Sequence, residues 1–380
     1  MENIVAITRA PGNTAGTINL GVVGLGAFGR FCLEAYLGMP EVRVVAIADV
    51  DPRALADARL LAPDAQAYDD AVSLIAAPEV EVVALCAPPD RHLGLVLTAA
   101  LAGKHILCDK PLGVSLAEFD SAAATAAAHS VALGINLVLR HNGLHKALAT
   151  LAHSGVLGNP RRVAVENYAD EAAGFAPDHW LWNPSCSGGL ALAADIHWLD
   201  VAARLLGPAH EVHTWGTGPA DGVGPRRLVT TAHARGAVSS VYHAFDTRPG
   251  ATSCTLLASF DDGEARLDGW IPTRLTVQCT TDRVAAVALA LGATARPDVM
   301  LETDSRAMLV VHGPHDRRTE YLEMIRGSLR LVLAKARGEV EDIGLLTARA
   351  ATATALSAEI AAATRCWVEI EAEDACAAVG

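Results

Sequence analysis

The tightest constraint on this chain is the hexapeptide Gly24-Leu25-Gly26-Ala27-Phe28-Gly29, set between an apolar run, Thr17 to Val23, and a helical pattern, Ala27 to Leu37. A short apolar run that ends in glycines reads as a buried parallel strand. In this setting the first glycine permits the tight turn and the second lets a pyrophosphate approach the backbone. The third allows helix and strand to pack closely, and the helix N-terminus adds free N–H groups and a favourable dipole. A second β-branched run, Val42 to Ala48, stops at Asp49, 25 residues after the first glycine. A carboxylate there accepts both ribose hydroxyls of NAD and repels a 2′-phosphate; the alternative is a residue that only starts a loop. Arg30 and Arg53 leave NADP in view, with Asp49 deciding for NAD.

The alternation continues with a helix near Pro52 to Leu61, a strand at Val80 to Cys86 and a helix at His92 to Ala102. A strand at His105 to Cys108, a helix from Ser115 to Ala128 and a strand at Val131 to Leu137 complete the unit. Strand–helix–strand repetition with short joints predicts a doubly wound parallel sheet. Beyond residue 140 the pattern changes to helices at His145 to Ser154 and Leu190 to Leu206 and a series of strands. These strands are Arg162 to Glu166, Glu211 to Gly216, Arg227 to His233, Ala237 to Ala244, Cys254 to Ser259, Glu264 to Leu267 and Leu275 to Thr280. Turn residues such as Asp261-Asp262-Gly263 favour antiparallel pairing, and late helices follow at Thr319 to Ala336 and Ile343 to Ala363. The expected fold class is α/β: an N-terminal Rossmann dinucleotide-binding domain plus a C-terminal α+β domain with a large, mostly antiparallel sheet. The expected division is a loose arm over 1–17, a first domain over 18–138 and a second over 139–380.

Composition narrows the function classes. At 380 residues, with 51% hydrophobic and 19% charged residues, the chain is globular and long enough to bury two cores. Thirty Lys+Arg against 43 Asp+Glu give a net charge of −13, which argues against a nucleic-acid or anionic-membrane surface. Apolar stretches such as Val284 to Leu291 are too short to span a bilayer, and the first residues lack the pattern of a secretory signal. Eight scattered cysteines with no C-x-x-C pair suggest neither a disulfide framework nor a zinc knuckle. The expectation is a reduced, cytoplasmic protein. The pairs His141/His145 and His312/His315 bring no carboxylate or Cys at ligand spacing, so no metal is expected.

Further motifs carry a resemblance. Pro88-Pro89-Asp90-Arg91-His92 opens a helix, and Ala100-Leu101-Ala102-Gly103-Lys104-His105 leads to Asp109-Lys110-Pro111 at a strand's end. Gly188-Gly189 precede Asp195-Ile196-His197-Trp198-Leu199-Asp200. With the glycine loop and Asp49-Val50-Asp51, these resemble the glucose–fructose oxidoreductase / inositol dehydrogenase (Gfo/Idh/MocA) family over residues 18 to 207. Asp109-Lys110-Pro111 is similar to the family's Glu-Lys-Pro. Two departures stand out: Asp for Glu at 109, and Ala193 where the family places an Asp four residues before the His.

The resemblance implies NAD bound by Gly24, Gly26, Ala27, Phe28, Gly29, Asp49, Pro88, Pro89, His92, Asp109 and Lys110. It implies hydride transfer at a secondary hydroxyl of a sugar, cyclitol or glycoside, with Lys110 beside the reacting oxygen and His197 moving its proton. It also implies a homo-oligomer, dimer or tetramer, built through the second domain, and a Lys110–Pro111 bond that is cis. Alone, Lys110 reads as a solvated surface residue and His197 as a core histidine; the family spacing argues for the catalytic roles. Asp200 then orients the helix or the imidazole. Arg140, Asn142, Asp178, Trp180 and Trp182 are expected to line the substrate pocket, the indoles against sugar C–H faces or simply packed. Asp195 lies two residues from His197, about 200° around a regular helix, so either the helix begins irregularly and Asp195 still reaches the substrate pocket, or His197 works without that partner. With Asp170, Glu171 and Asp178, Asp195 points to a cationic substrate such as an aminoglycoside or other amino sugar. Alternatives are a ketoreductase for a nucleotide-linked keto sugar and, from another class, an NAD-binding regulator without chemistry.

Overall fold

The computed structural model describes residues 16–170, 175–176, 178–217, 226–248, 250–292, 297–301, 303, 305–341 and 344–370. The arm expected over 1–17 thus lies outside the described residues except at its end. The chain divides into two compact units: 1–138 with 183–188 and 321–348, and 139–182 with 189–320 and 349–380.

In the first unit six parallel strands, β1 (Ile18–Val23), β2 (Val42–Ala48), β3 (Gln66–Tyr68), β4 (Val82–Leu85), β5 (His105–Cys108) and β6 (Leu133–Ile135), lie in the order β3-β2-β1-β4-β5-β6. This is the doubly wound order of dinucleotide-binding sheets, and its switch point lies between β1 and β4. Strands β1, β4 and β5 are buried at every residue, as central strands of a parallel sheet should be, and they are apolar except at Asn19 and His105. The intervening helices are α1 (Ala27–Leu37), α2 (Pro52–Leu61), α3 (Ala71–Ala76), α4 (Pro89–Leu101) and α5 (Leu116–Ala128). Three start on acceptors supplied by their own N-cap side chains, Asp51, Asp70 and Ser115. Helix α4 starts three residues before the expected His92, because Pro89 occupies its first position, where the missing N–H costs nothing.

The expected division, which gave everything after 138 to the second domain, is corrected here. Residues 321–348 pack with the first unit. Arg326 Nε donates to the Ala35 carbonyl at 2.8 Å, Arg330 Nε to Glu41 at 2.8 Å, and Val332 fills the space that a side chain at Gly134 would need.

The second unit carries a ten-stranded sheet, β14-β15-β13-β12-β11-β7-β10-β9-β8-β16. Its strands are β7 (Pro160–Tyr168), β8 (Ala209–Thr217), β9 (Arg226–His233), β10 (Val238–Ala244), β11 (Ser253–Phe260), β12 (Gly263–Asp268), β13 (Arg274–Thr280), β14 (Asp298–Leu301), β15 (Arg306–His312) and β16 (Val368–Glu369). Only β7 and β10 pair in parallel; the other neighbours are antiparallel, and β11 alternates buried and half-exposed residues along its length. Helix α6 (Gly143–Ser154) packs on α8 (Ile196–Leu206), and α8 lies on β7 and β10. The elements β3, α3, β14, β15 and α9 (Val284–Gly292) were not read from the sequence. Among the described residues no helix is long and apolar enough to cross a membrane.

Candidate active site

The glycine loop has the geometry its spacing requires. Gly24 sits at φ +85°, and a side chain there would strike Cys86 and Ala87 backbone at 2.6–2.7 Å. A Cβ on Gly29 would meet the Gly24 carbonyl oxygen at 1.9 Å, so only glycine lets α1 close on the turn. Above Gly26, which opens α1 without a side-chain cap, no described atom lies within 4 Å of a Cβ position. An uncapped helix N-terminus with open approach suits a pyrophosphate. Asp49 ends β2 with Oδ2 accepting the Leu25 amide at 2.5 Å and Oδ1 the Asp51 amide at 2.8 Å. Each oxygen retains a lone pair for a ribose hydroxyl. These residues fit a dinucleotide.

At the carboxyl ends of the next strands, Pro88 and Pro89 lead β4 into α4, and Asp109-Lys110-Pro111 follows β5 through a cis Lys110–Pro111 bond. His92 is buried, with Nδ1 2.6 Å from the Pro111 carbonyl oxygen and Nε2 2.7 Å from that of Ala87. Both ring nitrogens are thus committed to backbone, tying the β4 end to the Lys110 segment. Loss of hydration pushes the Asp109 carboxyl up, while Lys110, His92 and the Asn136 amide at 3.2 Å pull it back. Phe28 leans on Tyr321, ring centroids 6.4 Å apart, so its ring packs inside this unit.

In the second unit His197 is buried in the first turn of α8. Trp270, just after β12, stands edge-on to it with centroids 5.1 Å apart and also edges Trp198 at 5.0 Å. Trp270 was missed, since a tryptophan after a hairpin carries no motif. The single helix expected over Leu190 to Leu206 is instead a π turn, Ala191–Asp195, running into α8. Asp195 is fully buried, and its Oδ1 accepts from His243 Nδ1 at 2.7 Å, with the Arg227 guanidinium 3.9 Å from Oδ2. Its charge is answered inside the unit, so the expected contact with an amino group loses its support. Asp170 is half-buried and Asp178 exposed, while Glu171 lies outside the described residues.

Two residues expected to contact substrate have structural duties as well. Asn142 caps α6, its Oδ1 accepting the Leu144 and His145 amides at 3.0 Å while its amide donates to Glu320 at 2.8 Å. Arg140 binds Asp200 through two parallel bonds, Nε to Oδ2 at 2.9 Å and Nη2 to Oδ1 at 2.5 Å. Both Asp200 oxygens therefore serve Arg140. Trp180 and Trp182 share a short 3₁₀ turn (Trp180–Trp182) within an aromatic row. His179 stacks on Phe175 at 4.3 Å and touches Trp180 at 5.1 Å; Trp182 meets Phe245 edge-on at 6.2 Å. Both indoles are half-buried, which leaves part of each ring for a ligand.

Buried histidines around α6 set a pH dependence. Burial, helped by Arg204, pushes the His145 imidazole down to about 3; burial, then Lys146, Arg140 and Arg204, does the same to His141. The unfolded chain binds these protons near the ordinary 6.5, so stability is whole above that pH and falls as pH drops through the window to about 3. His145→Gln is expected to flatten the fall of the urea midpoint between about pH 6.5 and 4. An unchanged slope would count against a buried neutral His145.

Comparison with known proteins agrees with this geometry. Residues 18–137 match the oxidoreductase family described as having an NAD-binding Rossmann fold, and residues 145–285 match the GFO/IDH/MocA C-terminal domain. The chain belongs to the Gfo/Idh/MocA oxidoreductase family. It is 29% identical over 190 residues to myo-inositol 2-dehydrogenase of Thermotoga maritima, covering 50% of this chain and 55% of that one. It is 33% identical over 194 residues to inositol 2-dehydrogenase of Burkholderia multivorans, covering 50% and 55%. The chain thus spans about half the length of the curated relatives it matches. Levoglucosan dehydrogenase, solved with NADH and levoglucosan, shares the fold with a TM-score of 0.78 at 20% identity, over 93% of this chain and 99% of that one. The first domain is an NAD-binding domain, and the relatives include inositol dehydrogenases and a 1,5-anhydro-D-fructose reductase.

Proposed function

We propose that this chain is an NAD-dependent dehydrogenase that oxidises a secondary hydroxyl of a neutral sugar or cyclitol. The observation that carries the reading is the placement of Lys110 after β5, on the same carboxyl edge of the parallel sheet as the glycine loop after β1 and Asp49 after β2. That edge is where open α/β sheets bind their ligands. NAD, when bound, supplies the hydride acceptor. The Lys110 ammonium holds the reacting oxygen and stabilises its charge as the alkoxide forms, and His197 takes the hydroxyl proton in oxidation and returns it in reduction. With Ala193 in the helical segment before it, His197 works without a carboxylate four residues upstream. A neutral polyol is favoured over an amino sugar because Asp195 is already held by His243 and Arg227. Trp180 and Trp182 offer partly exposed indole faces for the sugar's C–H groups. The protein is further read as a cytoplasmic homo-oligomer, dimer or tetramer, which light scattering tests.

Turnover followed by nicotinamide absorbance tests the reading, with inositols, anhydro sugars, aldoses and an amino sugar beside its hydroxyl analogue. Oxidation of a neutral polyol supports it. Reduction of keto sugars alone would move the assignment to a ketoreductase, and NAD binding without turnover in either direction would make the chain a regulator. NAD is expected to exceed NADP in kcat/KM by at least about tenfold, since like charges brought together in a crevice cost several kcal/mol. Asp49→Ser should narrow that gap. Equal use of both cofactors by the unaltered protein would reject the assignment of Asp49.

A further inference from the structure

Charged residues from distant parts of the second unit converge on the turn that precedes His197. Glu359, in α11 (Leu345–Thr364), accepts the Ala191 amide at 2.7 Å through Oε1. Arg227 of β9 bridges from Glu359, with Nη1 at 3.0 Å, to Asp195, with Nε at 3.9 Å, and His243 of β10 closes the line on Asp195 at 2.7 Å. Gly189 makes room for this, because a Cβ there would lie 2.4 Å from Glu359 Cδ. The two ends of the π turn, Ala191 and Asp195, are thereby tied to one chain of charges reaching from α11 to the sheet.

The segment Leu190-Ala191-Leu192-Ala193-Ala194-Asp195 is mostly strong helix formers, with no Gly or Pro to widen the turn. The widening therefore comes from its tethers. A π turn holds one residue more than an α turn, and each residue accounts for about 100° of rotation about the axis. Collapse to regular helix would change the angular relation between the Gly189 end and His197. The Asp195 and Arg227 side chains are 0% and 8% exposed, so water weakens their attraction little.

We propose that Glu359 and Arg227 are positioning residues that hold the π turn and so aim His197 at the substrate. This rests on His197 being the acid/base of the proposed reaction. The test compares Glu359→Gln, Glu359→Ala and Arg227→Met with the unaltered protein, by kcat, by NAD affinity and by the imidazole resonances of His197 in NMR. Expected are a kcat lowered about tenfold or more, NAD affinity within about twofold, and displaced His197 resonances in all three. If the alanine variant does not fold, Glu359→Gln decides, since it keeps the side-chain shape and an acceptor for Ala191 but gives Arg227 no charge. Near-normal kcat with unmoved His197 resonances in Glu359→Gln and Arg227→Met would overturn the proposal. Should His197→Ala itself retain turnover, the catalytic reading fails, and the resonances still decide the positioning.

Discussion

In Lys110→Ala, turnover of the best polyol substrate is expected to fall at least about a hundredfold, the usual scale for a lost charge-stabilising or proton-handling group. NAD affinity should stay within a few fold, because the pyrophosphate and ribose contacts are offered by the glycine loop and Asp49, not by the ammonium. A second lysine provides the control. Lys104 precedes β5, at the opposite end of the same strand, and its Nζ donates to the Ala77 and Val80 carbonyls at 2.9 and 2.7 Å. Burial pulls the Lys104 ammonium down from its ordinary range, with Glu79 and Glu81 opposing. Lys104→Ala should lower the melting temperature and leave kcat nearly whole, whereas Lys110→Ala should do the reverse. Comparable turnover losses in the two variants, or near-normal turnover in Lys110→Ala, would dissolve the assigned site.

The first unit was legible because its physics is local. Buried parallel strands are apolar at most positions, with Asn19 of β1 the hydrogen-bonded exception, and the turn after β1 tolerates nothing but glycine at 24 and 29. What escaped was too short to show a period, such as the three residues of β3 and the six of α3. In the second unit most strands showed by alternation, but the partners of their polar residues did not. Arg140 and Asp200 are 60 positions apart, and nothing local marks them as a pair. Asn142 had a local sign, an Asn directly before a helical pattern, which is an N-cap preference as much as a ligand contact. The π turn had one indirect sign, the Asp displaced to 195, because its own sequence is ordinary helix and Glu359 and Arg227 lie far off in the chain. Tertiary electrostatics, not propensity, set that segment.

The largest loss of stability is expected from Asp200→Ala. The Asp200 side chain is 1% exposed and its Arg140 partner 11%, so the pair sits where removing one charge leaves the other uncompensated. Such a break costs about 3–5 kcal/mol, a large part of the roughly 5–15 kcal/mol that holds a domain folded. A second cation worsens the loss: burial already pulls the Arg204 guanidinium down, Asp200 supports it and Arg140 opposes it. Without Asp200, Arg140 still disfavours the charged Arg204 guanidinium while the carboxylate that offset it is gone. Asp200→Ala combined with Arg140→Met should therefore be more stable than Asp200→Ala alone, as read by urea midpoints at one pH. A destabilisation below about 1 kcal/mol in the single variant would show that water reaches the pair. Since α8 carries both Asp200 and His197, activity in Asp200→Ala must be read where the variant is folded. There kcat should approach normal, because both Asp200 oxygens are taken by Arg140.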